Sequence, residues 1–561
     1  MKPFRRTHVR SLLSVAAVLT VALPVGIGPS PAAAQTAQQP AARDDRVEVI
    51  MEGLPPRNSQ AYRSILKTAG DAKGQQLRLT RCEVWKVRRK FLDRLKQAAR
   101  RHKVNMRQLD ETWNNVLQPV PKGTAMNAKS RTMIDASKKV QSTADVKVMA
   151  ARSANMVEYA LTKDMQGGKQ DPKHPYQIKI ALGPEMTVTA VRRKVEIKGE
   201  RCVWRGVVAG SQQPVTIMWW ASGRMTGTIH YKDRIYQLRQ LNKDVIGIVE
   251  TDVDKMPDEH PRMSPEMMKR MNMKMDHIFR QGDASPLRPQ RGDTLDQQDD
   301  APGGGNSPRG GVRLALVNPK AGSKAGSAPK GGKNSGAGST ATIMDVLVVY
   351  TPKAASYYSD ITKDLIELAL DDTNMSFEES GISNVRVRLA AVRKVQYAEA
   401  SGELFDHVWR MVDRGDGYLE EVPALRDRYK ADVVILVVGE SNGCGLATRV
   451  AAGVDEAYAV VNHQCAATTY SFTHELGHIL GARHDRLLDN ADTPFPFGHG
   501  YIQPAKQWRT LMSYKKGCDG CLRLPIWSTP AKVVEGAPAG DSMQDNARVI
   551  RENAMRVSNF R

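Results

Sequence analysis

The run His474-Glu475-Leu476-Gly477-His478-Ile479-Leu480-Gly481-Ala482-Arg483-His484 constrains this chain more than any other stretch. It reads H-E-x-x-H-x-x-G-x-x-H. Positions i and i+4 share a helix face, so a helix lets His474 and His478 bring imidazole nitrogens to one Zn²⁺. Glu475, beside the first histidine, can reach a metal-associated water as general base. Gly481 permits φ > 0, ends the helix sharply and swings His484 round to the same ion. The pattern therefore demands a helix, a tight turn and a third ligand beyond it. Three protein ligands leave one position open, the arrangement of a catalytic rather than a structural zinc site.

The surroundings agree with a buried metal helix. Leu476, Ile479 and Leu480 supply its apolar side. Further on, Thr510-Leu511-Met512-Ser513-Tyr514 matches the turn that this pattern predicts, with Met512 under the metal. A lone methionine is ordinary core filling; past a complete zinc motif it gains meaning.

The N-terminus carries Lys2, Arg5, Arg6 and Arg10, then an apolar run from Leu12 to Ile27, then Ala32-Ala33-Ala34. This is the pattern of a secretory signal peptide over 1–34, and it predicts a secreted or periplasmic protein with no membrane span once the signal is removed. Pro24, Gly26 and Gly28 argue against an uncleaved anchor. In an exported chain the six cysteines suggest disulfides. Cys444 and Cys465 bracket the strand before the zinc helix and form a natural pair. Cys518 and Cys521 form a C-x-x-C with turn residues, read as a small structural loop. Cys82 and Cys202 remain, either bonded together or with one free, and a free thiolate could block the metal.

The formal charge of +22 is unevenly divided. From Ala341 onward there are 24 basic and 29 acidic residues, a net of −5; the part before holds 58 and 31, a net of +27. The basic excess precedes the zinc segment entirely, which argues against a specific nucleic-acid partner and for electrostatic complementarity between the two parts.

Four segments follow the signal. Residues 35–170 read as a basic, mainly helical region, with Trp85 to Lys96 apolar at helical spacing and cationic opposite. Residues 171–280 read as an antiparallel β region with short strands from Gln177 to Leu238, and Met256 to Met275 as a further helix. Residues 281–341 are a Gly/Pro/Ser/Lys tract unable to bury a core, a flexible linker and a natural place for cleavage. Residues 342–561 alternate strands (Met344–Tyr350, Val385–Val392, Asp432–Val438, Ala457–Val461) with helices (Asp364–Ser380, Leu404–Met411), an α/β (α+β) layout with the zinc helix under a mixed sheet.

The zinc motif, the Met512 turn and the segments Asp345-Val346-Leu347-Val348-Val349-Tyr350-Thr351, Gly443-Cys444-Gly445-Leu446-Ala447, Phe497-Gly498-His499-Gly500-Tyr501 and Trp527-Ser528 together resemble reprolysin-like metzincin zinc metalloproteases. Within these, the chain is most similar to the bacterial peptidyl-Asp metalloendopeptidases. The strands of the β region loosely resemble the pro-domains that precede such enzymes. The resemblance implies a zinc endopeptidase acting on protein or peptide substrates, with Zn²⁺ on His474, His478 and His484 and Glu475 as catalytic base. It implies that Tyr514 stands where a transition-state-stabilising tyrosine occurs in related families, that Asp485 anchors the third-ligand loop, and that the basic pro-region is an intramolecular inhibitor. The strand at Ala457–Val461 would be the edge that receives substrate. Cleavage before Asp would need a cationic pocket, for which Arg449 and Arg483 are candidates. His463 and His499 read as structural. Two other readings stay open from the residues: a broad-specificity gelatinase-like enzyme, and a secreted binding protein with a structural zinc.

Overall fold

Short β-rich segments separated by turn residues, most of them after residue 176, build the largest sheet. In the computed structural model, which describes residues 45–163, 176–259, 269, 341–400, 402–518 and 520–561, this sheet has nine strands. In chain order they are β5 (Leu117–Pro119), β6 (Thr143–Ala151), β7 (Gln177–Ala181), β8 (Thr187–Lys198), β9 (Arg201–Val208), β10 (Pro214–Trp220), β11 (Met225–Tyr231), β12 (Arg234–Gln240) and β13 (Val245–Asp252). Their spatial order is β5-β6-β13-β12-β11-β10-β9-β8-β7, antiparallel throughout. The longest of these, β8, is one continuous strand with a register shift after Arg192. The signal segment and nearly all of the linker lie outside the described residues, as does most of the Met256–Met275 segment.

The expectation of a mainly helical region before residue 170 needs correction. A four-stranded sheet stands there, ordered β2-β3-β1-β4, from β1 (Arg46–Glu52), β2 (Lys73–Gln76), β3 (Glu83–Arg88) and β4 (Asn105–Gln108). The helices α1 (Gln60–Thr68) and α2 (Leu92–Arg101) pack on it through Ile65 and Leu95, against Val49 and Trp85. The stretch from Trp85 to Lys96 is therefore not one helix. Val84, Trp85 and Val87 prefer a pleated surface, and Trp85 is fully buried with its indole N–H donating to Glu83 at 2.7 Å. Only from Leu92 does the helical period hold. The helices α3 (Ala128–Lys138) and α4 (Ala154–Thr162) complete this part.

The C-terminal region is built on β14 (Thr342–Tyr350), β15 (Val385–Lys394), β16 (Val433–Val438), β17 (Gly445–Ala447) and β18 (Tyr458–Asn462), ordered β15-β14-β16-β18-β17. All neighbours are parallel except β17, which runs antiparallel to β18 at the edge. The central strands are continuous Val/Ile/Leu runs because both faces are covered. The helices α5 (Glu367–Glu379), α6 (Leu404–Val412), α7 (Glu421–Arg428), α8 (Ser471–Leu480) and α9 (Asn546–Val557) surround the sheet, and α8 packs on β17, β18 and α5. The expected receiving edge, Ala457–Val461, is β18 and lies inside the sheet; β17 is the edge. Its three residues are too short to carry a strand period.

The two regions meet along β8 to β11. On β9, Cys202 and Trp204 point into the N-terminal core, while Val203 joins Met218 and Trp220 in the core shared with the C-terminal sheet. The outward-facing basic residues meet acids on one helical run. Lys194 pairs with Glu378 (2.5 Å), Lys198 with Asp371 (2.9 Å), and Arg205 with Asp371 (2.7 Å) and Asp372 (3.0 Å). Arg201 pairs with Glu367 and Arg224 with Asp364. The division of charge along the sequence thus becomes a contact with one sign on each side.

Burial raises Asp371, but Arg205 and Lys198 outweigh it and hold that carboxyl below its usual range. Burial pushes Asp372 up to about 7, with Arg205 only partly offsetting it. A carboxyl raised in the folded state contributes stability that is complete below its ordinary value, near 4, and is lost as pH rises through its folded one. Asp372→Asn is therefore predicted to gain on the wild type in melting temperature as pH rises from about 4 to about 7. A difference that did not vary with pH would contradict the buried position of this carboxyl.

Candidate metal centre

The helix α8 is buried along its whole length, between the edge of the sheet and the core. It ends at Gly481, whose φ of +108° and contact with the Phe495 ring leave no room for a side chain. The chain then reverses, and His484 returns to face the helix. The Nε2 atoms of His474, His478 and His484 lie 3.0 to 3.2 Å from one another. Among the described residues they form the one cluster of three or more His, Cys, Asp or Glu side chains spaced to hold an ion.

The backbone sets the chemistry of two of these rings. Nδ1 of His474 faces Leu511 O at 3.0 Å, and Nδ1 of His478 faces Ala482 O at 2.9 Å. A carbonyl only accepts, so each Nδ1 carries the proton and each Nε2 turns a lone pair inward. Converged lone pairs without a cation would repel, and a donor set of three imidazoles fits Zn²⁺. Leu511 belongs to the Met512 turn, so that turn positions a metal-facing ring directly. Met512 is fully buried, with its sulfur against the bare Cα of Gly477.

Glu475 is fully buried beside this cluster. It stands against the edge strand, where a Cβ at Gly445 would overlap its carboxylate. Gly445 therefore sets how closely the edge approaches the carboxylate. The Tyr514 ring lies 4.4 Å from that of His484 and 5.8 Å from that of His474. Asp485 accepts the backbone N–H groups of Tyr514 (3.0 Å) and Leu487 (3.2 Å), tying the loop after His484 to the Met512 turn. His499 faces the carbonyls of His484 and Ala491, and His463 stacks on Tyr357.

Cys444 and Cys465 are bonded, as are Cys518 and Cys521. The first bridge ties the start of β17 to the loop before α8. Cys82 and Cys202 are both free, and burial pushes both thiols up, so neither supplies a thiolate at neutral pH. The two expected cationic candidates are partnered within the chain: Arg449 with Glu456 (2.6 Å) and Arg483 with Asp489 (2.9 Å). Sequence reasoning passed over Arg509 and Arg523, which flank the Met512 turn. Their position on either side of Thr510 to Tyr514 was the available signal.

Gly445→Ala is expected to lower kcat by about ten-fold or more by displacing Glu475, while zinc content and melting temperature stay near wild type. A normal kcat would show that the carboxylate position does not depend on this contact.

The sequence profile of a family described as Metallo-peptidase family M12 (Reprolysin_5) matches residues 340–521. The peptidyl-Asp metalloendopeptidase of Xanthomonas campestris pv. campestris is 30% identical over 390 residues, covering 67% of this chain and 80% of the relative. That of Stenotrophomonas maltophilia strain R551-3 is 29% identical over 394 residues, covering 67% and 81%. One from Pseudomonas fragi is 39% identical over 99 residues, covering 17% and 62%. The similarity thus extends well beyond the metal-facing residues, and the chain belongs to the peptidyl-Asp metalloendopeptidases, zinc-dependent hydrolases of metallopeptidase family M12.

Proposed function

We propose that the chain is an exported zymogen of a zinc endopeptidase that cleaves on the N-terminal side of Asp. In this reading His474, His478 and His484 hold Zn²⁺ and Glu475 is the general base. The observation that carries the site assignment is the convergence of three Nε2 atoms within 3.2 Å beside a buried carboxylate. When bound, the ion supplies Lewis-acid polarisation of the scissile carbonyl and lowers the pKa of water to about 7.

The other roles belong to the chain itself. The edge strand β17, which among the described residues pairs with β18 alone, offers backbone groups to an extended peptide. Glu475, buried against that edge, takes the water proton and passes it to the leaving amine. Tyr514, whose ring packs on His484, is in this reading the residue whose hydroxyl stabilises charge developing on the carbonyl oxygen. Asp485 keeps that tyrosine in register with the third histidine.

The preference for Asp is drawn from the name carried by the relatives. Export is supported by the basic-then-apolar N-terminus and by two disulfides. Among the described residues no helix is long and apolar enough to cross a membrane. The basic region of residues 35–280 acts as the pro-region in this reading, held on the catalytic region by the ion pairs of β8, β9 and Arg224.

Glu475→Gln is expected to retain zinc while losing peptidase activity by about 10²-fold or more; full activity in that variant would remove the base assignment. The cleavage-site profile of the activated protein on a proteome-derived peptide library should show Asp directly after the cut. A profile without acidic preference would favour the gelatinase-like reading.

A further inference from the structure

Two arginines stand behind the Met512 turn with their guanidinium groups already fixed. Arg509 donates to Cys521 O (3.3 Å) and to Ser513 O, and Arg523 to Ser513 O (3.1 Å) and Thr469 O (3.0 Å). Both side chains are at most 7% exposed. Ser513 lies between Met512 and Tyr514, so the pair sits one residue from the ring that packs on His484.

The pair is already occupied by a carboxylate from the N-terminal region. Glu259 receives Arg509 at 2.6 Å and Arg523 at 3.1 Å, and the backbone N–H of Lys515 at 3.4 Å. The preceding residue meets the edge of the sheet: Cys444 N, directly before β17, donates to Asp258 O at 2.8 Å. A cavity of about 320 Å³ is shared by Cys444, Tyr470, Arg509, Arg523 and Glu259. Burial raises the Glu259 carboxyl, yet the two arginines outweigh it and hold it below its usual range. A chain lying beside β17 thus delivers a carboxylate into two cationic forks.

We propose that Arg509 and Arg523 form the pocket for the side-chain carboxylate of the substrate residue just after the scissile bond, and that Glu259 fills this pocket in the full chain. The proposal rests on the reading that cleavage precedes Asp. It gives the N-terminal region a specific means of inhibition, a carboxylate in the specificity pocket rather than a thiolate on the metal. Two planar forks fixed by backbone carbonyls recognise a carboxylate bidentately, and a neutral isostere leaves them buried and unmatched.

Two measurements test it. In the zinc-loaded full chain, calorimetry with the dipeptide Asp-Ala should detect binding to Glu259→Gln at least about ten-fold tighter than to wild type. The double variant Glu259→Gln/Arg523→Gln should lose that gain. Equal binding by wild type and Glu259→Gln would overturn the occupancy, and undiminished binding by the double variant would overturn the pocket. In the activated protein, kcat/KM is compared for paired peptides with Asp or Asn after the cut. Arg523→Gln should lower the Asp:Asn ratio by about 10²-fold or more. Arg509→Lys, which keeps a cation but not the fork, should lower it by about ten-fold, with melting temperature and zinc content confirming the fold. A ratio unchanged in both variants would overturn the pocket while leaving the Asp preference intact. A wild type with no Asp:Asn preference would instead defeat the cleavage reading itself.

Discussion

Two backbone carbonyls orient the histidines on which the proposed centre depends. Leu511 O and Ala482 O each face an Nδ1, which fixes the tautomer and turns Nε2 of His474 and His478 toward His484. Neither carbonyl is in the helix body. One comes from the turn after Gly481, the other from the Met512 turn, so the helix end, the third histidine and the distant turn must all be in place together. Met512 beneath Gly477, Asp485 on Tyr514 N and the disulfide before α8 each hold one of these pieces. The metal site is in this sense a property of the whole C-terminal region.

The second organising interaction is the contact between regions of opposite charge. Its basic side comes from β8, β9 and Arg224, its acidic side from residues 364–378. Buried and half-buried ion pairs add little net stability once desolvation is counted, and the apolar patch of Val203, Met218 and Trp220 supplies more of the adhesion. What the charges contribute is register. With β8 and β9 fixed on α5, the same N-terminal region carries Asp258 to the start of the edge strand and Glu259 to Arg509 and Arg523. The sign reverses there, with the acid on the N-terminal side.

Much of this was legible in the sequence, for local reasons. The zinc helix, its glycine stop and the third histidine are encoded within eleven consecutive residues, β7 and β8 follow from a period of two, and β9 to β12 from the turn residues that separate them. The charge split predicted a complementary contact without saying which residues meet. The failures have a common cause, since they depend on partners distant in sequence. Trp85 reads as part of a helix until its burial in a sheet is seen. β17 is too short to show a period, and only Gly445 against Glu475 reveals its importance. Arg449 and Arg483 looked available until Glu456 and Asp489 were found beside them, while Glu259 and Arg523 are 264 positions apart.

X-ray absorption at the zinc edge of the zinc-loaded full chain tests the metal assignment most directly. The predicted first shell contains three imidazole nitrogens at ~2.0–2.1 Å and no sulfur, because the half-buried Cys82 and the buried Cys202 are not part of the histidine cluster. Loss of the imidazole signature in His484→Ala should accompany loss of tight zinc binding. A sulfur scatterer at ~2.3 Å, or zinc bound equally well after that substitution, would contradict the centre described above.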